Sequence, residues 1–114
     1  VTKIGEEAFK DLTSLEKVVF TDETENIGNY AFSGCTALTE VSFGGIKTIG
    51  DYAFDGCSKL GHVRLENVET VGKYAFNKCG ELGNVEFGTH LTKMGDSVFS
   101  NCGNLTSVSF TSND

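Results

Sequence analysis

The 114-residue chain contains no proline, so its bends must come from other residues; fourteen glycines, together with Asn and Asp, are available to make them. Basic residues are scarce. Nine Lys and Arg face sixteen Asp and Glu, a formal charge of −7. A net negative chain repels phosphates at long range, which argues against nucleic-acid partners and adhesion to anionic membrane. No run of eighteen apolar residues occurs, so no membrane-inserted segment is expected. No signal-type segment opens the chain, an observation without weight because Val1 already lies inside a repeat. The four cysteines include no C-x-x-C pair, which removes zinc-ribbon and dithiol redox motifs. Neither G-x-x-x-x-G-K-[ST] nor G-x-G-x-x-G after a strand is present. Apolar residues make up only 39%, too few for a large globular core, yet nine Phe need burial.

What the chain has instead is internal repetition. Ile4-Gly5-Glu6-Glu7-Ala8-Phe9 returns as Ile27-Gly28-Asn29-Tyr30-Ala31-Phe32, then as Ile49-Gly50-Asp51-Tyr52-Ala53-Phe54 and Val71-Gly72-Lys73-Tyr74-Ala75-Phe76. A looser copy is Met94-Gly95-Asp96-Ser97-Val98-Phe99, and the starts are 23, 22, 22 and 23 residues apart. Three residues after each Phe stands Leu12, Cys35, Cys57, Cys79 or Cys102. Leu15, Leu38, Leu60, Leu82 and Leu105 follow, then Val18, Val41, Val63, Val85 and Val108. Phe20, Phe43, Leu65, Phe87 and Phe110 complete the units, and Val1, Thr24, Ile46, Val68 and Leu91 precede each Ile-Gly by three. The reading is one domain over 1–114 of five units starting at Ile4, Ile27, Ile49, Val71 and Met94, open to being part of a longer array.

Each spacing has a physical meaning. Val-x-Phe alternates with period two, as in a strand with one buried face, and Val-Glu-Thr-Val reads as a second short extended piece. Ala-Phe-x-x-Cys-x-x-Leu steps by three, as in tight 3₁₀-type turns. The Gly after each Ile either takes positive φ or sits where a side chain would strike the adjacent coil. The residue before the Cys position (Asp11, Gly34, Gly56, Lys78, Asn101) suits a left-handed backbone in every case but Lys78. One such coil cannot bury its apolar edge alone, whereas stacked coils cover one another.

The candidate chemistry is thin. The cysteines fall at one place in successive coils, which reads as a column of buried reduced thiols; a disulfide between coils is disfavoured because stacked side chains point the same way. Tyr30, Tyr52 and Tyr74 form another column, either an exposed aromatic strip or a ladder of rings lying on each other. His62 is placed on the outward face of a strand and His90 in a turn, neither at ligand spacing from a Cys. No cofactor, metal or catalytic residue is expected. Asn104-Leu105-Thr106 is a glycosylation sequon short enough for chance to explain.

The pattern I-G-x-x-A-F-x-x-C-x-x-L-x-x-V-x-F resembles the leucine-rich repeats of the BspA-like type over residues 1 to 110. The resemblance implies a right-handed leucine-rich-repeat superhelix with a parallel sheet on its concave side. Short strands, turns or 3₁₀ segments would form the other side. It further implies a cell-surface or extracellular setting and a role in protein binding or adhesion. Family repeats often carry Pro after the last strand residue; here Thr21, Gly44, Glu66, Gly88 and Thr111 stand there, leaving the turn shape open.

The residues flanking the buried strand positions should point out of the sheet. Lys17, Glu40, His62, Asn84 and Ser107 form one column, and Val19, Ser42, Arg64, Glu86 and Ser109 the next. Lys17 should face Glu40, and Arg64 should face Glu86. The protein-binding residues expected on the concave face are Lys17, Glu40, Ser42, His62, Arg64, Asn84, Glu86 and Ser107. The alternative is a structural unit that self-associates end to end through uncapped terminal coils.

Overall fold

The computed structural model describes residues 3–110. Each unit contributes two strands. In chain order they are β1 (Lys3–Ile4), β2 (Lys17–Val19), β3 (Asn26–Ile27), β4 (Glu40–Ser42), β5 (Thr48–Ile49), β6 (His62–Leu65), β7 (Thr70–Val71), β8 (Asn84–Phe87), β9 (Lys93–Met94) and β10 (Ser107–Phe110). The odd-numbered strands form one five-stranded parallel sheet in chain order. The even-numbered strands pair as β2–β4 and β6–β8–β10, again parallel, with β4 beside β6. Equivalent repeat positions are always opposite: Ile27 pairs with Ile49, and Val63 with Val85. The chain is a repeat solenoid of parallel strands, as the repeat spacing requires. Val1 and Thr111, to which the repeat assigns places, lie outside the described residues.

Register stacking turns each repeated residue type into a column. Phe9, Phe32, Phe54, Phe76 and Phe99 stack in sequence with centroids 5.2, 5.2, 5.3 and 5.9 Å apart and nearly parallel rings. Phe20 and Phe43 meet Phe32 and Phe54 edge-on. Burying one such side chain contributes about 1.5–3 kcal/mol, and a favourable ring pair adds about 0.5–1.5. The Leu, Val and Ile columns are closed off from water in the middle coils. In the first and last coils the same positions lack a neighbour on one side. Leu15, Val18 and Leu105 are half-buried, and Val108 is exposed.

The segment between the sheets shows the three-residue step as a chain of turns. Ala31 N–H donates to Gly28 O (3.2 Å), Cys35 N–H to Phe32 O (3.3 Å) and Leu38 N–H to Cys35 O (3.2 Å). No continuous 3₁₀ helix forms, because left-handed residues interrupt it. Asp11, Gly34, Gly56, Lys78 and Asn101 all have φ between 61 and 79° or at 60°, so the position before the cysteine is left-handed in every coil. Lys78 conforms despite its side chain. The sequence did not mark a second left-handed position. Glu7, Tyr30, Tyr52, Tyr74 and Ser97 lie at φ 59, 59, 58, 55 and 56°. Each is the third residue of a turn that opens on the conserved glycine, where positive φ is required in a type II turn.

The glycine itself is therefore not left-handed; close approach explains it. A Cβ on Gly28 would lie 2.8 Å from Glu6 N and from Ile4 O, and one on Gly95 would lie 2.5 Å from Lys73 N. The backbone it would strike belongs to the preceding coil. Gly5, in the first coil, meets nothing within 4 Å.

A left-handed lysine costs about 1–2 kcal/mol, more than the roughly 0.5–1 kcal/mol of chain entropy that glycine loses. Lys78→Gly is therefore expected to stabilise the protein by about 0.5–1 kcal/mol in urea unfolding. A loss of stability would mean that the Lys78 stem packs usefully.

Candidate functional site

The outward positions of the even-numbered strands form a polar surface, since the alternate residues of each strand are spent on the core. Lys17 sits on β2, Glu40 and Ser42 on β4, His62 and Arg64 on β6, Asn84 and Glu86 on β8 and Ser107 on β10. All are exposed except Glu86, which is half-buried. The register brings Lys17 opposite Glu40 and Arg64 opposite Glu86. The Lys17 ammonium is 3.9 Å from the Glu40 carboxylate, and Ser107 Oγ lies 2.5 Å from Asn84 Oδ1.

The strongest grouping surrounds Glu86. His62 faces Asn84 in register, yet its Nε2 reaches diagonally to Glu86 Oε2 at 3.0 Å. Arg64 Nε stands 3.8 Å from the other oxygen, and its Nη2 is 3.5 Å from Glu66. Sequence analysis places His62 on the outward face of its strand, among the expected binding residues, but gives it no partner. The missing signal was the diagonal i, j+2 neighbour on the adjacent strand, which long side chains can reach. These exposed pairs contribute little to folding, typically below about 1 kcal/mol each. Their effect is to hold an imidazole, a guanidinium and two carboxylates in place on one patch.

His90 lies in a turn, exposed, away from this patch. The tyrosines form a ladder: Tyr30–Tyr52 and Tyr52–Tyr74 stack at 4.9 and 5.0 Å with planes 1° and 7° apart. Ring faces spent on each other are not available to stack on a ligand. Lys10 lies over the outer face of Tyr30, 5.5 Å from its centroid.

The cysteines are free thiols, each donating to the carbonyl of the phenylalanine in the coil before. Cys35 Sγ to Phe9 O is 3.2 Å, Cys57 to Phe32 3.3 Å, Cys79 to Phe54 3.3 Å and Cys102 to Phe76 3.1 Å. Burial pushes the Cys35 and Cys57 thiols up from their ordinary value. A thiolate at Cys102 would accept a hydrogen bond from the Cys79 thiol, which holds half-buried Cys102 below its ordinary value and Cys79 above it, so the proton leaves Cys102 first. At neutral pH a maleimide is expected to label Cys102 first and the other three only on unfolding. Equal rates for all four would contradict the column's burial. A raised folded-state pKa means tighter proton binding when folded. The contribution of Cys57 is therefore complete below the ordinary value of 9.0 and lost as pH rises above it. Between pH 8 and 10 the melting temperature should fall, and Cys57→Ala should flatten that fall.

Among the described residues, no three His, Cys, Asp or Glu side chains gather where they could hold a metal ion. Among the described residues, no helix is long and apolar enough to cross a membrane.

Residues 2–114 match the family described as BspA type leucine rich repeat region (6 copies). No curated protein matches the chain. Solved structures do. A leucine rich cell surface protein from Faecalibacterium prausnitzii is 29% identical with a TM-score of 0.92, over 99% of this chain and 30% of that one. A leucine rich repeat protein of T. pallidum is 30% identical with a TM-score of 0.91, over 95% of this chain and 51% of that one. A leucine-rich repeat protein from Bacteroides ovatus is 29% identical with a TM-score of 0.77, over 94% and 34%. The chain thus spans between about a third and a half of the length of these relatives. The repeat, its strand order and the family match agree: the chain belongs to the BspA-type leucine-rich repeat family.

Proposed function

We propose that this chain is a non-catalytic protein-binding module, displayed at a cell surface, whose recognition face is the outward side of the even-numbered strands. The observation that carries this reading is the difference between the two kinds of column. The inward columns repeat the same residue types from coil to coil, as packing demands. The outward ones change at every step, from Lys17 through Glu40, His62 and Asn84 to Ser107. Varied side chains on a rigid, regular frame suit recognition. The fixed cluster of His62, Arg64 and Glu86 supplies both charges at its centre. The surface setting is supported by the F. prausnitzii relative, which is a cell surface protein. The recess beside Ser42 and Arg64 is open to solvent, which suits a protein surface better than an enclosed small substrate.

The test is binding of the 114-residue chain to immobilised extracellular-matrix proteins, compared with a His62→Ala/Arg64→Ala/Glu86→Ala variant. Exposed side chains should leave the fold intact, checked by circular dichroism. Removing three central contacts should weaken binding by about tenfold or more. A partner whose affinity ignored all three would eliminate this face.

A further inference from the structure

Cys35, Cys57 and Cys79 lie in the three middle coils, closed off from water inside the apolar core. The recognition face makes no use of them. Each thiol donates to a phenylalanine carbonyl one coil back, at Phe9, Phe32 and Phe54, over 3.2, 3.3 and 3.3 Å. The same contact made three times puts the sulfurs at equivalent points of successive coils. Neighbouring sulfurs are therefore offset by one coil, about 4.8 Å at the spacing of parallel strands. The stacked tyrosines record the same step at 4.9 and 5.0 Å. A disulfide joins sulfurs about 2 Å apart, so stacked thiols cannot close one unless a coil moves. Two thiolates that hold one soft ion in a line between them have a different requirement. Their sulfurs stand two metal–sulfur bonds apart, about 4.6 Å at roughly 2.3 Å a bond. The column meets that separation to within a few tenths of an ångström.

We propose that neighbouring cysteines of this column, Cys35 with Cys57 or Cys57 with Cys79, form a two-coordinate site for a soft divalent d10 ion of the mercuric kind. Sequence analysis expects no metal; the departure comes from the sulfur spacing, which only the stacking shows. Among the described residues no three ligand side chains gather, and a linear site needs only two. Thiolate is a soft ligand and selects soft ions over calcium or magnesium. The dry surroundings set the charge of the ion. Two thiolates and a divalent ion make a neutral unit, whereas a monovalent ion would leave one negative charge in the core. Asp11 and Asp55 stand close enough to Cys35 and Cys57 to disfavour that charge further. The backbone N–H of Cys35 faces the Cys57 sulfur, and that of Cys57 faces the Cys79 sulfur, each a donor that a thiolate can accept. On binding, each thiol gives its proton to solvent, two metal–sulfur bonds form and no atom changes oxidation state. Cys57 serves one partner at a time, so the three sulfurs hold one ion. Zinc takes four ligands in a tetrahedron, and the column offers two in a line. The site does not depend on the recognition face.

Three variants that keep two cysteines each separate this site from ordinary thiol reactivity. Cys79→Ala/Cys102→Ala keeps Cys35 beside Cys57, and Cys35→Ala/Cys102→Ala keeps Cys57 beside Cys79. Cys57→Ala/Cys102→Ala keeps Cys35 and Cys79, two coils apart. Each variant, its fold checked by circular dichroism, is held with one equivalent of mercuric chloride long enough for slow uptake through local opening. The two neighbouring-pair variants should each take up one ion by native mass spectrometry, release two protons and melt higher by about 10 °C or more. The separated pair should gain no melting temperature, and zinc chloride should raise that of none. Either neighbouring pair serves as the test if the other fails to fold. The proposal is overturned if the separated pair is stabilised as much as the neighbouring pairs, if mercury lowers or leaves unchanged the melting temperature of the neighbouring pairs, or if zinc raises it equally.

Discussion

Gly72→Ala should be severely damaging for so small a change, lowering stability by about 3 kcal/mol or more. The alanine Cβ would lie 2.5 Å from Asp51 N and 2.6 Å from Gly50 C, both backbone atoms of the coil before. Backbone cannot rotate aside as a flexible side chain can. Relief would need coils three and four to separate, which breaks the bond from Gly72 N–H to Ile49 O (2.8 Å) and loosens the column on either side. Overpacking of this kind costs about 1–3 kcal/mol where neighbours can yield, and more where they cannot. Gly5→Ala is the internal control. It makes the same change in the same Ile-Gly context, yet nothing lies within 4 Å. Urea unfolding should move the midpoint sharply for Gly72→Ala and leave it nearly unchanged for Gly5→Ala. Equal effects would show that glycine is needed for backbone freedom, not for clearance.

Phe54→Ala is expected to cost about 3–5 kcal/mol, in the range of large cavities in well-packed interiors. Phe54 is fully buried, stacked on Phe32 and Phe76, and met edge-on by Phe43. Its removal leaves a void that two coils line and neither can fill. Phe110→Ala removes the same side chain from the last coil, where it is 62% exposed, and should cost under about 1 kcal/mol. Because Phe54 and Phe76 touch, their double replacement should cost less than the sum of the single changes. A Phe54→Ala variant as stable as Phe110→Ala would mean that the stack has repacked.

The architecture was legible because a repeat constrains every coil at once. Five glycines each after an apolar residue, and five Val-x-Phe or Val-x-Leu pairs, at fixed spacing admit only a stack, and the observed register places each residue on its own equivalent. The left-handed place before the cysteine was legible at Gly34 and Asn101, whose types favour that backbone, but not at Lys78, whose residue type does not favour it and which takes φ 61° all the same. The left-handed tyrosines were not legible. Tyrosine has no preference for positive φ, and Glu7 and Ser97 take it at the same place without a ring; from Glu7 to Tyr74 each of these residues donates its N–H to a carbonyl of the next coil, a tertiary effect. The pairs Lys17–Glu40 and Arg64–Glu86 followed from register alone. The His62–Glu86 contact did not, because it depends on a side-chain torsion that carries the imidazole past Asn84. The recognition face is legible only as the place where repeats differ, since nothing local in an exposed Lys, Glu or Ser names what it meets.

The direction of the inter-coil hydrogen bonds has a mechanical side. They run along the solenoid axis, joining each coil only to its neighbours. Tension applied between the two ends along that axis therefore loads the junctions in series, and the weakest gives way before the rest share the strain. Each coil of about 22 residues that peels away releases roughly 75 Å of extended chain. Under load the molecule should lengthen in even steps at low force, with the remaining coils still folded, so that it yields as an extensible tether where an interlocked globule would hold and then rupture.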